Sequence, residues 1–331
     1  MVEREVIRRI IIEGQEFVNE ISLTERPFFF EQKGNYVFVG IRQAGKSYLL
    51  YQRIQQLLRE EHNINEIVYI NFDDERLRQM TADDLDLILQ AYHSLFDLRP
   101  LLFFDEIQNI EGWEHFARRL ANQKYNIYIT GSNAKMLSRE IATTLGGRFW
   151  NKDVYPYSFA EYLNARNIIL SKNWMYGKQA AEVSKAFNDY FLYGGFPELT
   201  DVIAKRVWLN DIYSKIFFSD LIVRNKVRNE EALGLLVRRL AENVKQPVSY
   251  TRLANLISSI GIKISKATVI EFIRYLKESC LIFPIENYAA KFAERNSNMK
   301  HYFIDNGLLS IFLLDGNTSL LENIVAIHLY K

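Results

Sequence analysis

Apolar residues in the first half of the chain follow two alternating patterns: short unbroken runs of strand length, and longer stretches with apolar positions three and four apart. A charged amphipathic helix opens the chain, and a short apolar piece from Pro27 to Phe30 follows it. The run YVFVG then leads into the helical stretch KSYLLYQRIQQLLREEH. IVYINF ends at Asp73-Asp74-Glu75 and precedes a helix over about Ala82 to Phe96; LLFFDE precedes a helix over Trp113 to Asn122; YNIYIT ends at Gly131. Strands alternating with helices of this length predict parallel pairing through crossover helices, and so a three-layer α/β domain. After Arg148 the pattern changes, and from Ser158 nearly everything reads as helix, interrupted by the turn Tyr193-Gly194-Gly195-Phe196-Pro197. That change places a boundary near residue 165, with an α/β domain over 1–165 and a mostly helical domain over 166–331.

A length of 331 residues, 48% of them hydrophobic, supplies enough apolar material for two cores. Lys and Arg number 41 against 40 Asp and Glu, so the net charge of +1 points to no partner by itself. The single cysteine, Cys280, excludes an internal disulfide, and the charged N-terminus lacks the apolar core of a signal peptide. No run approaches the roughly 18 apolar residues of a membrane span. These features predict a cytoplasmic protein. The five histidines show no metal-ligand spacing.

The segment Gly40-Ile41-Arg42-Gln43-Ala44-Gly45-Lys46-Ser47 fits G-x-x-x-x-G-K-[ST], with a strand before it and a helix-forming run after it. Its glycines are free to turn successive amides toward a β-phosphate, and the helix start adds partial positive charge. Lys46 supplies a charge for the β- and γ-phosphates of ATP, and the Ser47 hydroxyl a ligand for Mg2+; Gly40, Arg42, Gln43, Ala44, Gly45 and Tyr48 complete the expected nucleotide contacts. Such a loop needs an acid at the end of a buried strand to hold the metal, and Asp105 fills that place. Glu106, beside it, is positioned to polarise a water for attack on the γ-phosphate. The same acidic pair also suits the start of the helix near Trp113.

In a parallel sheet the strand ends line the ligand crevice, so Ser132 and Asn133 after YNIYIT are candidates to contact the γ-phosphate or the water; helix capping explains them equally well. Arg148 is a candidate arginine finger, or a plain surface arginine. Arg42 has a similar choice between phosphate contact and a structural ion pair. A finger acting between subunits would require a homo-oligomer.

GIRQAGKS, LFFDEIQNIEGWEHFARRL, ITGSNAKML and LGGRFWNKDVYPYSFAEYL, followed by YFLYGGFPELT, the segment around Asp220 to Arg224, and KHYFIDNGLL, together resemble the archaeal and bacterial AAA+-like P-loop ATPases in which an ATPase domain precedes a DUF4143 domain. The resemblance covers nearly the whole chain. It implies a strand order of the AAA+ type and a nucleotide-dependent enzyme or switch. Many members of that family carry a restriction-nuclease-like segment where this chain ends, and Glu322 sits at the place of its first acid; the later acids and lysine are absent, and a helix-surface glutamate is the simpler reading. The apolar pattern SLLENIVAIHLYK runs to the end without a cap, so the natural polypeptide is expected to continue.

Residues from about 245 to 290 read as helix, turn at Gly261, helix from Ser265, and a short strand pair through Pro284 to Tyr288, a winged-helix pattern. Residues 205 to 300 carry a net charge of about +8, which favours a polyanion such as DNA. Against this, Arg274 and Lys277 of the second helix have Glu271 and Glu278 beside them, so an interaction or lid module is an equal reading. Two functions follow: Mg-dependent ATP hydrolysis coupled to a partner, or a nucleotide-gated DNA-binding switch with slow hydrolysis.

Overall fold

The computed structural model describes residues 2–31, 33–137, 139–287 and 299–331. Two compact units divide the chain: residues 1–40 with 45–154, and residues 41–44 with 155–331.

The first unit is a five-stranded parallel sheet in the order β2-β3-β4-β1-β5, the order implied by the AAA+ resemblance. The strands are β1 (Tyr36–Val39), β2 (Ile67–Asn71), β3 (Leu101–Asp105), β4 (Asn126–Gly131) and β5 (Trp150–Asp153). The interleaved helices are α1 (Arg4–Glu20), α2 (Lys46–Arg59), α3 (Asp86–His93), α4 (Trp113–Asn122) and α5 (Arg139–Leu145). β1 and β3 are buried along their whole length, as apolar runs covered on both faces should be. Register is reinforced by an aromatic ladder across three strands. Tyr36 stacks on Tyr128 at 5.8 Å, and Tyr128 on Phe103 at 4.6 Å, each pair directly opposite in the strand pairing. α1 packs on α3 and β2 and buries Ile7, Ile10, Ile11 and Val18.

β5 was not foreseen in the sequence. Its four residues, Trp-Asn-Lys-Asp, are all exposed and three are polar, and pairing with β1 alone makes them an edge strand. Because β5 closes the sheet, the division between the units falls at Val154 rather than near residue 165. The next helix, α6 (Phe159–Ala165), opens on a capping box between Ser158 and Glu161 and packs on α7 (Lys178–Tyr193).

The second unit continues with α8 (Lys205–Lys215), a π-helical turn Ile216–Val223, α9 (Glu230–Glu242), α10 (Tyr250–Ser259) and α11 (Lys266–Glu278). α10 and α11 each begin on a serine cap, Ser249 and Ser265, with Gly261 at φ +93° in the turn between them. The strand pair is wider than expected: β6 (Ile282–Ile285) pairs antiparallel not with the next few residues but with β7 (Lys300–Phe303). The expected end of the pair at Tyr288 lies outside the described residues. α12 (Asn306–Ser310) and α13 (Asn317–Tyr330) follow.

The motifs YGGFP and FIDNGLL meet in this unit. Buried Asp305 accepts backbone N–H bonds from Gly195 at 2.7 Å and Gly307 at 2.8 Å. A Cβ on Gly194, at φ +77°, would collide with that carboxylate. The glycines therefore form a nest for an internal anion, and burial raises the Asp305 pKa to about 6 against the pull of those amides. No helix among the described residues is long and apolar enough to cross a membrane.

Candidate nucleotide site

The parallel register brings Gly40, Asp105-Glu106 and Gly131-Ser132 to the carboxyl edge of neighbouring strands, the edge where such sheets bind ligands. The Gly40 amide donates to the Gly131 carbonyl, tying the start of the loop to β4. Gly40 is required for closeness rather than for an unusual backbone angle, because a Cβ there would strike the Val154 carbonyl. Gln43 (φ 60°) and Gly45 (φ 90°) supply the left-handed turns. α2 begins at Lys46 after the N-cap Gly45, with no side-chain cap hydrogen bond, a helix start of the kind that suits an anion.

Lys46 is buried and lies 3.6 Å from Glu106 Oε1. Asp105 is enclosed: Tyr69 donates to Oδ2 at 2.9 Å, Thr130 Oγ1 donates to Oδ1, and Ser47 also bonds the carboxylate. Burial first, and the charge of Glu106 second, raise the Asp105 pKa against these three hydrogen bonds. Glu106 sits at φ 52°, a left-handed angle for a non-glycine residue, and its amide donates to Thr130 Oγ1 at 2.9 Å. Ser47 and Asp105 are hard oxygen donors of the kind Mg2+ uses beside phosphates, one or two protein ligands per ion. Among the described residues there is no group of three or more His, Cys, Asp or Glu arranged to hold a metal ion.

The remaining candidates are placed differently. Asn133 makes the capping contact, its Oδ1 accepting from the Lys135 amide at 2.8 Å. Ser132 is buried, and its Oγ accepts from Gln108 at 3.4 Å. Arg148 precedes β5 at the amino edge of the sheet, the opposite end from the loop, where its guanidinium donates to the Gly146 carbonyl. Within its own subunit Arg148 therefore lies at the other sheet edge from the loop. Arg42 takes the ion-pair option: it groups with the second unit and makes a two-pronged bond to buried Asp220 at 3.1 and 3.0 Å. Asp220 also accepts from Arg224 at 2.9 Å and lies in the π-helical turn. Tyr48 is half exposed on the first turn of α2. Tyr69, Thr130 and Gln108 were missed by sequence reasoning.

Residues 32–163 match the family model described as AAA domain. The uncharacterized protein MJ1544 of Methanocaldococcus jannaschii is 32% identical over 338 residues, covering 100% of this chain and 75% of that protein. An uncharacterized protein of Haemophilus influenzae is 31% identical, covering 89% of this chain and 74% of its own length. The chain belongs to this family of AAA-domain proteins. In it, residues 184–319 match a domain of unknown function, DUF8612, in place of the DUF4143 domain implied by the resemblance. Among solved structures, Aeropyrum pernix Orc1 in complex with DNA aligns over 99% of the AAA-domain chain and 94% of its own, at 13% identity and a TM-score of 0.35. Aquifex aeolicus DnaA bound to AMPPCP aligns over 82% and 88%, at 17% identity and 0.32.

Proposed function

We propose that this AAA-domain protein binds MgATP on the loop from Gly40 to Ser47 and hydrolyses it with Glu106 as general base. The observation that carries the reading is the convergence of buried Lys46, buried Asp105 and Glu106 on one sheet edge beside an uncapped helix start. Lys46 and the first amides of α2 would hold the phosphates, and Ser47 with Asp105 would hold the metal. When bound, Mg2+ supplies charge neutralisation for the β- and γ-phosphates. Glu106 takes a proton from water as the water oxygen bonds to the γ-phosphorus and the bond to the β-phosphate oxygen breaks, giving ADP, phosphate and a proton. The phosphates compete with Glu106 for Lys46, which leaves the carboxylate for the water.

Lys46→Ala is expected to remove ATP binding in calorimetry. Glu106→Gln is expected to keep binding while turnover falls by about 10²–10⁴. A Glu106→Gln protein that hydrolyses at the wild-type rate would falsify the base assignment.

A second reading is favoured by the charge of about +8 between residues 205 and 300: a nucleotide-gated switch that binds DNA through the α9–α11 helices and the β6-β7 pair, arranged in the order of a winged helix. Arg274 weighs against it, since its charge is shared between Glu271 and Glu278, both at 3.7 Å.

A further inference from the structure

The short helical turn Ile107–Asn109 after the acidic pair is built more rigidly than a connector needs. Asn109 Nδ2 ties it to the end of β2, donating to Asp73 Oδ1 at 2.6 Å and to the Phe72 carbonyl at 3.2 Å. Gln108 ties it to the end of β4: its Nε2 donates to Glu106 Oε2 at 2.5 Å and to Ser132 Oγ at 3.4 Å. These contacts fix the side-chain amide orientation, because turning it over would aim Oε1 at a carboxylate. In this orientation Gln108 Oε1 is buried and has no hydrogen-bond partner among the described residues. It lies against Gly131, where a Cβ would be 2.5 Å from it.

A buried acceptor left without a partner costs about 1–3 kcal/mol, and a methionine of similar shape would avoid that cost. The neighbouring Glu106 carries a second local penalty, its left-handed backbone. Two unfavourable features side by side at the end of β3 mark a place where the fold is held for chemistry rather than for stability. Glu106 is thus gripped on both oxygens, Oε1 by Lys46 at 3.6 Å and Oε2 by Gln108.

We infer that Gln108 is a positioning residue for ATP hydrolysis: it holds the Glu106 carboxylate in place and, through Ser132, couples that carboxylate to the end of β4. This rests on the assignment of Glu106 as base. When phosphates compete for Lys46, Gln108 keeps its hold on Oε2 of Glu106.

The test is steady-state ATP turnover as a function of pH, with MgATP affinity measured by calorimetry, on wild type, Gln108→Met, Gln108→Glu and Ser132→Ala. Gln108→Met is expected to bind MgATP within about twofold of wild type while kcat falls about 30-fold. The acid limb of its pH profile moves upward, because an ionised carboxylate has lost a donor. Gln108→Glu, nearly isosteric, moves that limb further by placing a like charge beside Glu106. Ser132→Ala gives a smaller loss of kcat in the same direction. Should Gln108→Met fail to fold, the Gln108→Glu profile carries the comparison. Wild-type turnover with a folded Gln108 variant whose kcat and acid limb are unmoved overturns this inference alone. Wild-type protein that binds ATP and never hydrolyses it overturns the Glu106 reading together with it.

Discussion

At Asp105, burial and hydrogen bonding pull in opposite directions. Burial and the adjacent Glu106 raise its pKa, while Ser47, Thr130 and Tyr69 pull it down less strongly. A carboxyl whose folded-state pKa lies above the unfolded value adds stability at low pH and loses it as pH rises through the folded pKa. Without metal, the ionised Asp105 is therefore a burden at neutral and alkaline pH, and a bound cation reverses the sign. In thermal melts at pH 8 without ligand, Asp105→Asn is expected to be at least as stable as wild type, yet to lose the increase in melting temperature that MgATP gives wild type. A variant that melts lower without ligand and still responds to MgATP would sink this account. Lys46, Ser47, Asp105 and Glu106 were legible because each sits at a fixed offset from a glycine or a strand end. Tyr69, Thr130 and Gln108 have no such offset. Their side chains reach the site from β2, β4 and the turn after β3, and only the strand register brings them together.

Among the elements, helices with local caps and strong periodicity came out as expected, whereas the one expected over about Ala82 to Phe96 is a shorter helix, Asp86–His93, preceded by a separate turn at Ala82–Asp84. α4 has the bounds expected from the pattern, and α10 and α11 begin one residue after their capping serines. β5 escaped because an edge strand needs no apolar run, and β7 because its partner lies far along the chain. The glycine pair before Pro197 was read as a helix-joining turn; in the fold it is also one wall of the nest around Asp305. Gly194→Ala is expected to destabilise the protein by about 2–3 kcal/mol in urea unfolding, since it combines a positive φ with a clash against a buried carboxylate. A loss below about 0.5 kcal/mol, the range of ordinary surface changes, would show that the nest is not tight.

For the whole molecule, charge is the property that composition hides: +1 overall, but about +8 between residues 205 and 300. If the second unit binds duplex DNA, affinity should fall steeply with salt, by a slope of about −0.9 per phosphate contacted, and should change with ATP. Fluorescence anisotropy at low salt that shows no binding eliminates the switch reading, and equal turnover with and without DNA separates hydrolysis from any DNA bound. A finger acting between subunits is the reading that suits Arg148, at the amino edge of its own sheet. Turnover per chain that rises with protein concentration, and loses that rise in Arg148→Ala, would establish such an arrangement; turnover proportional to protein across the range would remove it.

From the sequence alone came the α/β class, the phosphate loop with its acidic partner, and the helices, because spacing, glycine placement and capping are set by residues close together in the chain. The tertiary structure decided what depends on distant segments meeting. It placed Arg148 at the other sheet edge from the loop, gave Arg42 to Asp220, gave Asn133 a capping contact and surrounded Asp105 with hydroxyls. These outcomes follow from strand order and register, which no short stretch of sequence contains.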